Sequence, residues 1–197
     1  MTKRPIVFID RDGTLNKEAG YINHIDNFQL YPFVYQAIRL LNHFNILSVI
    51  ITTQAGIARG YFTESFLKDV HNKMLELFKK NGAFIDALYY CPHHPSSKLA
   101  DYAVECDCRK PKTKMLEKAV AKFSPNVDTE KMYVIGDKFS DIKMGSNFGC
   151  RTVMVKTGYG AGELISKDKD SPQPSKIEEN FLSAVLWIIR DLNLNAF

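Results

Sequence analysis

Ile6-Val7-Phe8-Ile9-Asp10-Arg11-Asp12-Gly13-Thr14-Leu15 sets four apolar residues in a row, then two acids one residue apart, then a glycine. So short an apolar run, closed by polar residues, reads as a strand buried on both faces, the kind that fills a parallel sheet. On extended backbone Asp10 and Asp12 project to the same side. Two neighbouring carboxylates repel unless one takes a proton or a cation binds beside them. Gly13 permits the sharp exit that leaves both acids exposed at the strand end. The plain alternative is a surface turn, where Asp-Gly is common.

Outward from this stretch the pattern repeats. Residues 46–51 (ILSVII), 84–90, 132–135 and 152–155 read as further buried strands. Between them, residues 34–44 carry Val34, Ala37, Ile38 and Leu41 at helical spacing. Thr63 stands as N-cap of a long amphipathic helix with Leu67, Val70, Met74, Leu77 and Phe78 on one stripe, closed by Lys79, Lys80 and Asn81-Gly82. Further helices are expected from a Thr113 cap to about residue 123 and over 139–147. A closing helix is expected over 177–192, with Leu182, Val185, Leu186, Trp187 and Ile189 as its core stripe. Residues 167–176 (KDKDSPQPSK) read as a polar surface loop. Alternating strands and helices predict a single α/β domain over residues 1–197, a Rossmann-like parallel sheet with helices on both faces. In such sheets the reactive groups lie just past the carboxyl ends of the strands.

The composition is that of a globular protein: 197 residues, 45% hydrophobic and 24% charged, enough chain to bury one sizeable core. A net charge of +4 with scattered basic residues suits anionic small molecules and is weak evidence for nucleic acid, so no nucleic-acid partner is expected. The apolar run before Asp10 is too short for a signal peptide, and no apolar stretch approaches a membrane span. A cytoplasmic location without a membrane partner is therefore expected.

The other strand ends carry chemistry too. The 46–51 run leads into Thr52-Thr53-Gln54, and the 132–135 run into Gly136-Asp137-Lys138-Phe139-Ser140-Asp141, while Arg109-Lys110-Pro111 precedes the helix between. Singly, Thr52 is a strand residue, Lys110 a solvated charge and Asp137 an N-cap. Together they bring carboxylates, a hydroxyl and cations to strand ends, the set that phosphoryl transfer needs. Three of the four cysteines lie in YCPHHP (90–95) and CDCRKP (106–111). In a reducing compartment such Cys/His clusters read as metal ligands before disulfides, though spacing alone leaves a disulfide open. Cys150 reads as a small buried hydrophobe with a free thiol. His24, His43 and His71 lack spaced partners and read as surface or helix-packing residues.

DRDGTL, the apolar strand ending at Thr52, Lys110 and GDKFSD resemble, in order, the four motifs of the haloacid dehalogenase (HAD) superfamily of phosphatases. DRDGTLNKEAGYINHIDNF, TTQAGIARGYF, YYCPHHP, ECDCRKP and GDKFSDI narrow the resemblance to its heptose bisphosphate and histidinol-phosphate phosphatase subfamily. The likeness spans about residues 6–160. It implies a HAD fold without a large cap domain and with a zinc-stapled loop inserted at about residues 91–108. It further implies removal of the 7-phosphate of D-glycero-D-manno-heptose 1,7-bisphosphate, in nucleotide-activated heptose biosynthesis.

The resemblance also implies roles. Asp10 would be the nucleophile and Asp12 the general acid, then base; Thr52 would bind a phosphoryl oxygen and Lys110 neutralise charge. Mg²⁺ would be held by Asp10, the Asp12 carbonyl and Asp137. Glu18, Ala19, Gly20, Tyr21, Thr53, Gln54, Arg109 and Lys138 would face the substrate, a small phosphorylated sugar. A structural Zn²⁺ would take Cys91, His93, Cys106 and Cys108 rather than His94, leaving no open position, and the loop would aim Arg109 and Lys110. Asp141 reads either as a group supporting the metal site or as a plain helix residue, the second being preferred, and the chain is taken as a monomer. Thr53 stands where the subfamily has Asn and Glu18 where Asp is common, which leaves the anomer and the sugar open. Three other readings stay in view: a histidinol-phosphate phosphatase, a zinc module binding nucleic acid without catalysis, and a phosphatase acting on larger substrates such as polynucleotide ends.

Overall fold

The computed structural model describes residues 3–194, so both ends of the expected domain lie outside the described residues. The elements run β1 (Arg4–Ile9), α1 (Val34–His43), β2 (Leu47–Thr53), α2 (Glu64–Lys80), β3 (Ala87–Cys91) and α3 (Lys114–Phe123) in the first part. Then follow β4 (Val127–Gly136), α4 (Phe139–Asn147), β5 (Arg151–Val155), α5 (Gly160–Ile165), β6 (Lys176–Glu178) and α6 (Phe181–Asp191). The six strands form one sheet in the order β3-β2-β1-β4-β5-β6, and every pairing is parallel.

Period-two alternation on β1 divides the core. Val7 and Ile9 join Ile38, Leu41, Val70, Met74, Val185 and Ile188 on the face covered by α1, α2 and α6. Ile6 and Phe8 turn to the other face, against Met115, Leu116 and Met144 of α3 and α4. Both faces are thus covered, which is why the strands are apolar throughout rather than alternating with polar residues. Between β1 and β2 the only helices are α1 and a 3₁₀ turn at Ile25–Asn27, so no cap domain enters there.

Several boundaries differ from expectation. Ile177 belongs to a sixth strand, not the last helix: β6 pairs with β5 at Met154↔Ile177. Asn180 sets the helix start, because its side chain accepts from Ser183 N at 3.1 Å while Ser183 Oγ accepts from Asn180 N at 3.2 Å. On α6 the buried stripe is Phe181, Ala184, Val185, Ile188 and Ile189. Leu186 is exposed, and Trp187 lies at the margin, edge-on to Tyr133. The short helix α5 had no distinct signal in the sequence. The third strand starts late, because Phe84 is tied by its backbone to the Asn42 side chain at the end of α1 and stays 54% exposed. On α2, Leu77 is only half buried, and His71 sits inside the stripe instead. Thr113 precedes α3, but its hydroxyl bonds the Glu117 side chain rather than capping the backbone. Cys150 is half buried, with a free thiol.

Candidate active site

Strand order reverses between β1 and β4, the two strands that lie either side of the switch in connection, and the ends of such strands frame a crevice. Asp10 follows β1 and Asp137 follows β4 directly, so the sheet brings the two acids together. With Asp141 on the first turn of α4 they place carboxylate oxygens within 4.8 Å of one another. Lys110 comes from the loop before α3. Its Nζ donates to Asp10 Oδ1 at 2.5 Å and lies 2.6 Å from Asp141 Oδ1, a buried ion triplet.

Asp141 therefore does more than belong to a helix, the preferred of its two readings, and stands beside the other acids of the site. Its carboxyl turns inward because Oδ2 accepts from Lys138 N, closing the first turn of α4, which leaves Oδ1 aimed at Lys110. A serial pattern on so short a helix does not distinguish an inward acid from an outward one.

Burial pushes the Asp10 carboxyl well up; Lys110 opposes this, and Asp141 and Asp12 add to it. Asp137 is pushed up by burial, then by Asp10 and Asp141. Lys110 has the reverse balance: burial works against its charge, but Asp10 and Asp141 hold its pKa above the ordinary lysine value. Three acids against one ammonium leave an excess of negative charge that a divalent cation would relieve. The donor set fits one. Asp137 is fully buried; its Oδ2 accepts from Tyr159 N at 2.9 Å, and its Oδ1 has no partner among the described residues. All these donors are oxygens, as Mg²⁺ prefers. Glycines make room for them: a Cβ on Gly13, which has φ +83°, would fall 2.1 Å from Asp137 Oδ2, and one on Gly158 2.2 Å from it.

A cavity of about 340 Å³ opens over Asp10. Asp12, Thr52, Lys110 and Asp141 line its base, and Glu18, Gly20, Tyr21, Thr53, Gln54, Arg109 and Lys138 line its walls and mouth. Ala19 is exposed and does not line it, because the Gly20 amide turns back onto Glu18 Oε1 at 2.7 Å and points that residue outward. Gln54 is engaged with the protein rather than free at the wall: its Nε2 donates to Thr52 Oγ1 at 2.8 Å and to Asp12 Oδ2 at 2.7 Å. Thr53 Oγ1 has no partner among the described residues. At the mouth Lys138 Nζ lies 3.6 Å from Glu18 and 4.3 Å from the Tyr159 ring centre, and Arg109 Nη1 donates to the His93 carbonyl.

Asp12 sits in a cage of donors. Arg11 Nη2 contacts its oxygens at 2.7 and 2.9 Å and Arg11 Nε at 3.2 Å, joined by Asn16 Nδ2 at 3.0 Å and Gln54. Burial raises this carboxyl, but the Arg11 charge and these hydrogen bonds outweigh it and hold it below the usual range. Arg11, which the sequence did not single out, and His71, read there as a surface or helix-packing residue, are both buried here. A charged residue between two acids was the one available hint.

The second cluster lies on the loop between β3 and α3. Cys91, His93, Cys106 and Cys108 bring ligand atoms within 4.8 Å of one another, and all four cysteines of the chain are free thiols. Burial, then neighbouring thiols, push Cys108 up, the situation that a bound cation relieves by taking thiolates. Three thiol sulfurs and an imidazole nitrogen make the four donors that suit tetrahedral Zn²⁺. His94 lies outside the cluster, against Arg59. The loop is braced by Glu64 on α2, whose carboxylate accepts from Tyr90 at 2.6 Å and Tyr102 at 3.0 Å.

Known proteins are similar to this chain in sequence and fold. Residues 107–184 match the HAD-hydrolase-like family model. The D-glycero-D-manno-heptose-1,7-bisphosphate 7-phosphatase of Thermosynechococcus vestitus is 37% identical over 193 residues, covering 96% of this chain and 97% of that protein. The D-glycero-beta-D-manno-heptose-1,7-bisphosphate 7-phosphatase of Escherichia coli K12 is 38% identical over 156 residues, 78% of this chain and 80% of the relative. The crystal structure of the B. bronchiseptica D,D-heptose 1,7-bisphosphate phosphatase with magnesium and phosphate superposes with a TM-score of 0.84 at 26% identity, covering 95% of this chain and 99% of that one. Among the described residues no helix is long and apolar enough to cross a membrane.

Proposed function

The chain belongs to the D-glycero-D-manno-heptose-1,7-bisphosphate 7-phosphatase family of HAD-like hydrolases, and from that premise we propose that it hydrolyses the 7-phosphate of this sugar bisphosphate through an aspartyl-phosphate. The observation that carries the reading is the Lys110 ammonium bridging Asp10 and Asp141 at the floor of a polar cavity, beside the unpartnered Asp137 oxygen.

In this reading Asp10 Oδ attacks phosphorus in line. Asp10, Asp137 and the Asp12 carbonyl hold Mg²⁺, which supplies the positive charge that lets an anionic nucleophile meet an anionic phosphate. Lys110 favours the ionised form of Asp10 and orients it, and Thr52, hydrogen-bonded through Gln54, presents its hydroxyl to a phosphoryl oxygen. Asp12 gives a proton to the departing sugar oxygen and then takes one from the hydrolytic water. Cys91, His93, Cys106 and Cys108 hold a structural Zn²⁺ that orders the loop carrying Arg109 and Lys110. Arg109 and Lys138 put two cations at the mouth, suited to the second phosphate of a bisphosphate and unsuited to the ammonium of histidinol phosphate. We take the chain to act as a cytosolic monomer with no nucleic-acid partner.

Phosphate release measured side by side on both anomers of the heptose bisphosphate and on histidinol phosphate, with and without Mg²⁺, tests this. The sugar bisphosphate is expected to have the higher kcat/KM, activity to require Mg²⁺, and Asp10→Asn to lose more than about 10³-fold. A preference for histidinol phosphate, or activity indifferent to Mg²⁺, overturns it.

A further inference from the structure

Arg11 is the largest fully buried side chain, 1% exposed, and its guanidinium divides between two partners. One edge, Nε and Nη2, faces Asp12; the other, Nη1, meets His71 Nε2 at 3.1 Å. An arginine nitrogen only donates and never deprotonates in a protein. His71 Nε2 must therefore be the acceptor, with the ring proton on Nδ1. His71 is 7% exposed on α2, and burial first, then Arg11, drives its pKa to about 3, in keeping with a neutral ring. Phe28 lies 6.0 Å from the guanidinium carbon and keeps it dry on another side.

We propose that His71, acting through Arg11, is a positioning residue for Asp12, fixing the guanidinium so that the Asp12 carboxyl meets the leaving oxygen. Asp12 now accepts from Arg11, Asn16 and Gln54, and a carboxylate so surrounded has no place for the proton it must deliver. One donor has to yield when Asp12 turns to the substrate. Each donor has a second partner, Asn16 Nδ2 on the Lys17 carbonyl, Gln54 Nε2 on Thr52 Oγ1 and Arg11 Nη1 on His71 Nε2. Arg11 alone is charged and holds both Asp12 oxygens, so its anchor on His71 keeps the carboxyl oriented while Asp12 exchanges partners. Without His71, Nη1 would be a buried donor with no acceptor; Arg11 would shift to find one, and Asp12 would move with it. The inference rests on the reading of Asp12 as general acid.

The test uses leaving groups. kcat/KM reports steps up to departure of the alcohol; a sugar alkoxide needs a proton at that point, whereas the 4-nitrophenolate of 4-nitrophenyl phosphate does not. The readout is the kcat/KM ratio of the sugar bisphosphate to 4-nitrophenyl phosphate, in the Mg²⁺-loaded full chain with thermal unfolding monitored. His71→Leu is expected to lower this ratio about tenfold, as loss of a supporting partner does. His71→Gln, whose side-chain oxygen can accept from Arg11, is expected to restore most of it. If His71→Leu does not fold, His71→Met carries the same expectation. An unchanged ratio, or a loss that glutamine does not rescue, overturns the proposal. Asp12→Asn separates the two readings: if it too leaves the ratio unchanged, Asp12 is not the acid, and the role of His71 falls with it.

Discussion

Lys110, Arg11 and His71 show how burial sets charge in this site. Lys110 keeps its proton because two acids touch it, and Asp12 loses its own because Arg11 does. His71 stays neutral because burial and the adjacent guanidinium both disfavour imidazolium. The last has a consequence for stability. Its folded pKa, about 3, lies below the ordinary 6.5, so on acidification the unfolded chain takes up this proton first. The contribution is intact above about pH 6.5 and is lost as pH falls towards 3, at up to about 1.4 kcal/mol per pH unit. Asp10 and Asp137, whose carboxyls are held up, bend the curve in the opposite sense, so the informative comparison is between proteins. Denaturant unfolding from pH 4.5 to 7 should show a shallower acid loss in His71→Gln than in the wild type; parallel curves contradict a neutral buried histidine.

At the scale of elements, the loop between β3 and α3 is held at three points. Cys91 is the last residue of β3 and pairs with Thr53 of β2, Glu64 of α2 ties down Tyr90 and Tyr102, and Cys108 leads directly into Arg109 and Lys110. A cation held by the four ligands would close this bracket. Cys108→Ser should abolish stoichiometric zinc by metal analysis and lower kcat about 10- to 100-fold by displacing Lys110. The residual activity should still depend on Mg²⁺, because Asp137 and Asp10 stand on other elements. Full activity in zinc-free protein would sever the loop from the site.

Across the whole molecule, the sheet keeps chemistry and stability apart. The acids and Lys110 cluster at the carboxyl ends of β1 and β4, whereas α1 and α6 pack on one another and on the sheet face. Ile188, fully buried on α6, belongs to that packing and does not line the cavity. Ile188→Ala should cost about 2–5 kcal/mol in denaturant unfolding and leave KM for the sugar bisphosphate unchanged at temperatures where the variant is folded. A changed KM would mean that the far face of the sheet governs the site.

Sequence by itself determined the α/β class, the central strands, the acids at their ends and the Cys/His loop, because each is written in residues adjacent along the chain. Apolar runs report burial on both faces, and a carboxylate pair after a strand reports where that strand ends. Only the tertiary structure decided which side chains meet. Arg11 finds His71 through the rotation of α2 against β1, Lys110 reaches Asp10 across a hundred residues, and Asp141 turns inward on a helix too short to show a face. The sixth strand escaped because Lys176–Glu178 is a half-exposed edge whose partner, β5, lies far upstream. Contact between distant segments depends on register and packing angle, and neither leaves a local pattern in the chain.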